Sequence, residues 1–240
     1  MRRILLFGLA IVLAAGAASL GVWQLHRLAA RRAVNHAALT TRELPLLVAQ
    51  ESSHAPLLPN RRILLTGDLD EAREFVLRDR VVRGIPAILI VTPLRLAGTD
   101  TAVLINRGYV PAMDAVDPGA AEWSETKTRR FHGVLLPTPD RGDGEPLVYR
   151  GRETWYRLDQ SAMRARLPYP LAPVYLLAEP DSAEGDAHTV RGTVYPFRAE
   201  PPSIDEGPHL MYAIQWFGIS AAVAAFGWLF IWRGGRVHGQ

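Results

Sequence analysis

The histidines are the residues of this sequence best suited to bind a metal or carry a proton, and they are scattered along the chain. They are His26, His36, His54, His132, His188, His209 and His238. No two are three to five residues apart, so the sequence predicts no local metal site of the kind that one helix face or one turn can build. The chain contains no cysteine, which excludes thiolate metal sites, a cysteine nucleophile and disulfides.

The motifs of common soluble enzymes are also absent from the sequence. There is no GxSxG elbow, P-loop or HExxH, and no GxGxxG after a strand. Four carboxylates cluster at Asp68, Asp70, Glu71 and Glu74, and we interpret them as a solvated turn in preference to a catalytic pair. The positive charge is almost entirely arginine spread along the chain, which argues against nucleic-acid binding. The sequence therefore does not predict an enzyme, although a periplasmic enzyme with an unrecognised site remains an alternative.

Two apolar runs lie at the ends of the chain. Ile4–Leu25 contains no charged residue, and Tyr212–Trp232 contains Gln215 as its only strongly polar residue. About 20 helical residues cross a hydrocarbon core of about 30 Å, so both runs are long enough to span a membrane. A cleaved signal peptide is the alternative for the first run. We favour an anchor because the apolar stretch continues past the small-residue cleavage sites to Trp23, an aromatic that suits the headgroup level.

Charges around the second run predict the orientation of the chain. Acidic residues precede this run, and Arg233 and Arg236 follow it. The positive-inside rule therefore places the C-terminus in the cytoplasm or matrix, and two spans place the N-terminus on the same side. We expect a two-pass protein of a bacterial inner membrane or a mitochondrial inner membrane. The long segment between the spans would face the periplasm or the intermembrane space.

Antiparallel spans would bring two histidines to the same membrane face. His26 follows the first run and His209 precedes the second. Imidazole is an axial ligand of haem iron, and Tyr212 and Trp216 would line an apolar cleft that suits a flat macrocycle. Arg27 would pair with anionic propionates, because guanidinium matches the geometry of a carboxylate. The alternative is that both histidines are interfacial residues whose polar tips reach water.

The segment between the spans has the pattern of a mainly β domain. Short strand candidates alternate with turn signals: Arg62–Thr66, Glu74–Val82, Ala87–Leu94, Thr101–Tyr109, Arg129–Leu136, Val174–Ala178 and Thr189–Phe197. Asp159 is placed to cap a short helix from Gln160 to Leu167. We expect two transmembrane helices flanking an α+β, mainly antiparallel β extracytoplasmic domain that resembles an open barrel.

The predicted organisation divides the chain into six segments. They are a first transmembrane helix (4–25), a helical extension and linker (26–59), a β-rich domain (60–198), a second linker (199–211), a second transmembrane helix (212–232) and a cytoplasmic tail (233–240). Residues 179–188 are predicted to form a solvated loop. A glutamine in an apolar segment needs a hydrogen-bond partner, so Gln24 or Gln215 is expected to bond across the two spans.

Several stretches, taken in order, resemble one protein family. They are LGVWQLHR after the first apolar run, TPLRL (Thr92–Leu96), LINRGYVP (Leu104–Pro111), TWYRLDQSAM (Thr154–Met163), APVYLL (Ala172–Leu177) and HLMYAIQWF (His209–Phe217). Together they resemble the Surfeit locus protein 1 (Shy) family of cytochrome c oxidase assembly factors, over nearly the whole chain. The sequence departs from the family pattern in two places, with Ala30–Arg31 where Trp-Lys is common and Met211 where Ser is common.

The resemblance implies a function and a site. It implies an assembly factor, not an enzyme, that binds haem a and aids its placement in subunit I of the oxidase. The family's proposed iron ligand corresponds to His209. Partners would be subunit I, assembly intermediates, the lipid bilayer and the machinery that makes haem a, with no nucleic acid. An alternative is a scaffold that stabilises an oxidase intermediate through the external domain without binding haem.

Three further residues are candidates for contact with a partner or with haem propionates. Arg107 and Tyr109 lie in the LINRGYVP motif, and Trp23 lies in LGVWQLHR. The structural interpretation of the first motif is a strand that ends in a turn, with Pro111 stopping the ladder. For Arg107 we favour the structural interpretation over the functional one.

Overall fold

The computed structural model describes residues 2–48, 57–112, 114, 130–142, 144–149, 151–180, 188–190 and 193–236. These residues form two compact units. One comprises Met1–Ala37 with Ile204–Gln240, and the other comprises Ala38–Ser203. The predicted loop 179–188 falls largely outside the described residues, as do the last four residues of the predicted tail.

The second unit is built from short strands and one short helix. The strands are β1 (Leu47–Val48), β2 (Arg62–Leu69), β3 (Phe75–Val82), β4 (Ile85–Leu96), β5 (Ala102–Pro111), β6 (Arg130–Pro137), β7 (Leu147–Tyr149), β8 (Arg152–Trp155), β9 (Leu171–Ala178), β10 (His188–Val190) and β11 (Thr193–Tyr195). A single 3-10 turn, Glu71–Arg73, precedes β3. The helix α2 (Gln160–Arg164) begins after Asp159, whose carboxylate accepts a hydrogen bond from the Ala162 amide at 3.1 Å. The predicted cap is therefore confirmed.

Five strands close into a barrel. The order is β2–β6–β9–β5–β4, and β4 pairs back with β2. Each of these pairings is antiparallel except that of β5 with β9, which is parallel. Strands β3, β8 and β7 extend the sheet outward from β4. The sequence predicted an open barrel, whereas the described strands form a closed ring.

Apolar side chains fill the barrel and cover one of its outer faces. The interior cluster consists of Ile63, Leu65, Leu94, Val103, Ile105, Phe131, Leu135, Ala172, Val174, Leu176 and Ala178. A second cluster joins β3, β4 and β5 to Trp155 and to Met163 of α2. Because β4 is covered on both faces, eight consecutive residues from 87 to 94 are buried.

The first unit is a pair of long helices. The helix α1 (Arg2–Glu43) has 42 residues and α3 (His209–Arg236) has 28. Both contain stretches long and apolar enough to cross a membrane, and their large apolar side chains are mostly exposed. Trp228 and Trp232 stack near the end of α3, with ring centroids 6.0 Å apart. These features are compatible with a two-pass membrane protein.

The two helices pack antiparallel. In each helix the residues at the helix seam, the line of contact between α1 and α3, are spaced alternately three and four positions apart. The more buried positions of α1 are Phe7, Ala10, Ala14, Ala17, Gly21, Gln24 and Leu28, and those of α3 are His209, Ala213, Trp216, Ser220, Val223 and Gly227. This spacing is typical of helices that pack side chains into one another at a shallow angle. At Gly21 the approach is so close that a Cβ atom would lie 2.8 Å from the ring of Phe217. Small residues therefore bring His209 of α3 close to α1.

The strand predictions were incomplete in three places. Strand β1 lies in the predicted linker, and β7 and β8 were not predicted. The segment Thr189–Phe197, predicted as one strand, instead contains the antiparallel pair β10 and β11. Beyond that pair, Phe197 bonds through its backbone to Tyr109.

Candidate functional site

The candidate site lies at the first residue of α3. The Nδ1 atom of His209 is 2.9 Å from Oε1 of Gln24 on the facing helix. Gln24 is buried, with 9% of its surface exposed, and His209 is half-buried. The expected hydrogen bond across the two helices is therefore confirmed for Gln24, whereas Gln215 is exposed on α3.

This hydrogen bond sets the chemistry of the imidazole. An amide oxygen can only accept, so the ring must donate through Nδ1–H. In the neutral ring the lone pair then resides on Nε2, the nitrogen available to a metal. Metal-binding histidines are commonly oriented in this way by an acceptor on the second ring nitrogen. The hydrogen bond to Gln24 therefore leaves Nε2 as the ring nitrogen of His209 that carries the lone pair.

Space beside Nε2 is kept by a glycine. Gly207 has a φ of +67°, a backbone conformation that residues with a Cβ atom rarely adopt. A Cβ atom at this position would lie 3.7 Å from Cδ2 and 3.8 Å from Nε2 of His209. Any side chain longer than a methyl group at position 207 would therefore start beside the candidate ligand atom. An imidazole nitrogen is a donor that fits a haem iron, and Gly207 adds no side chain beside it.

The turn that carries Gly207 is attached to α1. Arg32 donates two hydrogen bonds to the carboxylate of Glu206, at 2.7 and 2.9 Å. Asn35 donates to the carbonyl oxygen of Asp205 at 2.7 Å. The hydrogen bonds from the Arg32 guanidinium lower the pKa of the Glu206 carboxyl. Arg32 and Asn35 were not among the predicted site residues, although both lie on the predicted helical extension.

The other predicted haem contacts differ in how far they are exposed. Trp216 is half-buried in the helix seam, whereas Tyr212 is 45% exposed. His26 is exposed and makes no hydrogen bond to His209 among the described contacts. The guanidinium of Arg27, also exposed, lies 6.0 Å from the ring centre of Trp23. Trp23 itself is 53% exposed, as an interfacial aromatic residue would be.

Arg107 lies inside the barrel domain. Its side chain is 1% exposed, and its Nη1 atom lies 2.9 Å from Oε2 of Glu74 and 3.3 Å from Oε1 of Glu71. Glu74 also accepts a hydrogen bond from Arg152 at 2.9 Å. Burial raises the pKa of the Glu74 carboxyl in spite of both arginines. This geometry supports the structural interpretation of Arg107, because the guanidinium does not reach the surface.

The acidic cluster is not the solvated turn that we expected. The side chains of Glu74 and Asp70 are only 12% and 11% exposed. Asp70 accepts hydrogen bonds from Arg73 at 2.8 Å and from the Tyr169 hydroxyl at 2.9 Å. Glu74, Glu71 and Asp70 instead form partly buried ion pairs, whereas Asp68 is exposed. Arg73 is a local partner, but Arg107 and Arg152 lie on β5 and β8 and could not be identified from the local sequence.

Tyr109 lies next to this network along β5. Its side chain is half-buried, and its backbone N–H donates to the carbonyl of Phe197 at 2.9 Å. A role for Tyr109 or Trp23 in contacting a partner stays a prediction.

The fold and the site together define a class of protein. It has a small β-barrel domain between two apolar helices in the sequence, and a histidine that hydrogen-bonds to a buried glutamine across those helices. A family model described as the SURF1 family matches residues 11–221, and the chain belongs to this family. SURF1 proteins are known as oxidase assembly factors and not as enzymes, so the resemblance predicted from the motifs is confirmed.

Individual relatives agree with this membership. A SURF1-like protein of Mycobacterium tuberculosis is 31% identical over 212 residues, which cover 85% of this chain and 74% of the relative. One from Rickettsia felis is 24% identical over 210 residues, covering 85% and 87%. One from Monosiga brevicollis is 27% identical over 148 residues, which are 62% of this chain and about half (53%) of that relative's length.

Proposed function

We propose that this protein is a membrane-anchored assembly factor for cytochrome c oxidase. It binds haem a near the membrane surface and assists its insertion into the catalytic subunit of the oxidase. Membership of the SURF1 family supports the link to oxidase assembly. The two apolar helices support the anchor. The charges that flank the second apolar run favour an orientation with both termini in the cytoplasm or matrix and the intervening segment on the opposite side.

The observation that carries the haem proposal is the hydrogen bond between Gln24 and His209. It requires the ring proton on Nδ1, and position 207, where a Cβ atom would lie 3.8 Å from Nε2, carries no side chain.

The surrounding residues have distinct roles in this proposal. His209 holds the iron through Nε2, and Trp216 and Tyr212 provide an aromatic surface beside it. Arg27 pairs with a propionate, and His26 is the candidate for a second ligand. Haem a, when bound, is the redox group that the oxidase requires, and the protein makes and breaks no covalent bond in delivering it.

Restoring oxidase assembly in cells that lack this protein tests the proposal. We would express the wild-type chain, His209→Ala and His36→Ala in these cells. The two readouts are the haem a content of the oxidase and the co-purification of the oxidase with the assembly factor. His36→Ala is the matched control, since His36 is an exposed histidine of α1.

The proposal predicts that His209→Ala lowers the haem a content while His36→Ala does not. Normal haem a content with His209→Ala, together with unchanged co-purification, would favour the scaffold alternative. In that case the barrel domain, including Tyr109, would be the candidate surface for contact with the oxidase intermediate.

A further inference from the structure

The turn before α3 is held by three side chains from one stretch of α1. Arg31 and Asn35 both donate to the carbonyl oxygen of Asp205, at 3.2 and 2.7 Å. Arg32 binds the next residue, Glu206, with both arms of its guanidinium. The turn is also closed internally, since the Asp205 carboxylate accepts the N–H of Gly207 at 3.0 Å.

Together these contacts fix the turn before α3 more firmly than an isolated surface ion pair would. Arg32 and Glu206 are about half exposed, and a single exposed pair contributes little. Here the pair is bidentate, and Asn35, which is 7% exposed, fixes the adjacent carbonyl from a buried position. Two consecutive residues of the turn are therefore held immediately before Gly207.

From this geometry we infer that Arg32 and Asn35 are positioning residues for the iron ligand. They hold the turn so that Gly207 lies beside Nε2 of His209 without covering it. If the turn were released, the backbone at Gly207 would shift relative to the ring, and the open space at Nε2 would no longer be maintained. This inference rests on the proposed function of His209 and adds residues that contact neither the iron nor the ring.

The test is a titration of the full chain, purified in detergent, with haem a. The variants are Arg32→Gln, Asn35→Ala, His209→Ala and the exchanged pair Arg32→Glu with Glu206→Arg. Arg164→Gln removes an exposed arginine of α2 and serves as the matched control for loss of one positive charge. The readouts are the dissociation constant and the Soret position and shape, with thermal unfolding measured in parallel.

Arg32→Gln and Asn35→Ala should each raise the dissociation constant about threefold to tenfold and alter the Soret band. The exchanged pair should restore both readouts, and Arg164→Gln should change neither. The inference is overturned if Arg32→Gln and Asn35→Ala bind like the wild type, or if exchanging the charges restores nothing.

The same titration separates this inference from the proposed function. If His209→Ala abolishes binding while the Arg32 and Asn35 variants bind normally, only the positioning role fails. If the wild type binds no haem a, or His209→Ala binds equally well, the proposed function fails and the positioning role fails with it.

Discussion

At the scale of single residues, the proposed haem binding depends on the imidazole of His209 and on its two neighbours, Gln24 and Gly207. The hydrogen bond to Gln24 places the ring proton of His209 on Nδ1, and Gly207 has no side chain beside Nε2. Gln24 does not need to contact a ligand to have an effect, because a hydrogen-bond acceptor on the second ring nitrogen commonly changes metal affinity about 10- to 100-fold.

Replacing the acceptor tests the role of Gln24. Gln24→Leu keeps the approximate volume but removes the amide oxygen, so the ring can carry its proton on either nitrogen. We expect haem a affinity to fall by about tenfold, measured by Soret titration. Gln24→Glu retains an acceptor and should retain most of the affinity.

Gln215→Leu is the matched control, since it removes an exposed glutamine of α3. Equal affinities for Gln24→Leu and Gln215→Leu would show that the acceptor has no role in ligation.

Adding a side chain beside Nε2 tests the role of Gly207. Gly207→Val introduces a branched side chain next to the ring and also strains a backbone with φ of +67°. Haem a binding, followed by visible absorption, should be lost or strongly reduced. The control is Gly84→Val, which imposes similar strain at φ +78° in open space. If both variants bind haem a equally well, Nε2 does not need the space.

At the scale of elements, the helix pair is positioned by small residues. The spacing of the seam brings α1 and α3 into contact at Gly21, whereas Gly8 and Gly16 of the same helix face open space. In a membrane such close packing substitutes for the hydrophobic effect, which is weak between helices in lipid.

Enlarging the seam should therefore separate the helices. Gly21→Val places atoms where the Phe217 ring now lies, and overpacking of this kind costs about 1–3 kcal/mol. We expect a lower Tm in detergent and weaker haem a binding, because Gln24 lies one turn further along α1. Gly16→Val changes the same residue type without a contact. A Tm for Gly21→Val equal to that of Gly16→Val would contradict the observed packing.

The elements also show which parts of the structure the sequence could predict. The helices follow from composition alone, and long buried strands such as β4 and β9 follow from continuous apolar runs. Strands β7 and β8 have three and four residues, too few for periodicity to distinguish them from a loop. Closure of the barrel depends on the pairing of β2 with β4, a non-local contact that no local pattern records.

The candidate site was predictable to a similar extent. His209, Gln24 and the need for a bond across the spans could be read from polar residues near apolar runs. The choice of Gln24 over Gln215 depends on which helix face is buried, and this is a property of the packed pair. The ion pairs of Arg107 were not predictable, because Glu74 lies 33 residues away along the chain.

At the scale of the whole molecule, the barrel domain contains a buried charge that responds to pH. The pKa of Glu74 is raised in the folded protein by burial. A raised pKa means that the folded state binds this proton more tightly than the unfolded state. The stabilisation that comes from this proton binding is fully present below the ordinary glutamate pKa. It is lost as the pH rises through the raised pKa of Glu74.

Glu74→Gln mimics the protonated side chain at every pH. Its free energy of unfolding relative to the wild type should therefore rise as pH increases from about 4 to 7. Denaturant unfolding in detergent measures this difference through tryptophan fluorescence, to which the buried Trp155 of the barrel domain contributes. A difference that falls with increasing pH would show that the arginines, and not burial, determine the pKa of Glu74.

Glu74→Leu provides the comparison that keeps this result interpretable. It removes the acceptor altogether and leaves the buried guanidinium of Arg107 with Glu71 as its remaining described carboxylate partner. We expect a loss of about 3 kcal/mol in the free energy of unfolding.

The most direct test of the central claim is the visible spectrum of the protein purified from cells that make haem a. The wild type should show a haem a spectrum, and His36→Ala should show the same spectrum. His209→Ala should remain folded and lose or weaken the Soret band. A colourless but folded wild type, or an unchanged spectrum with His209→Ala, would contradict the assignment of His209 as the haem ligand.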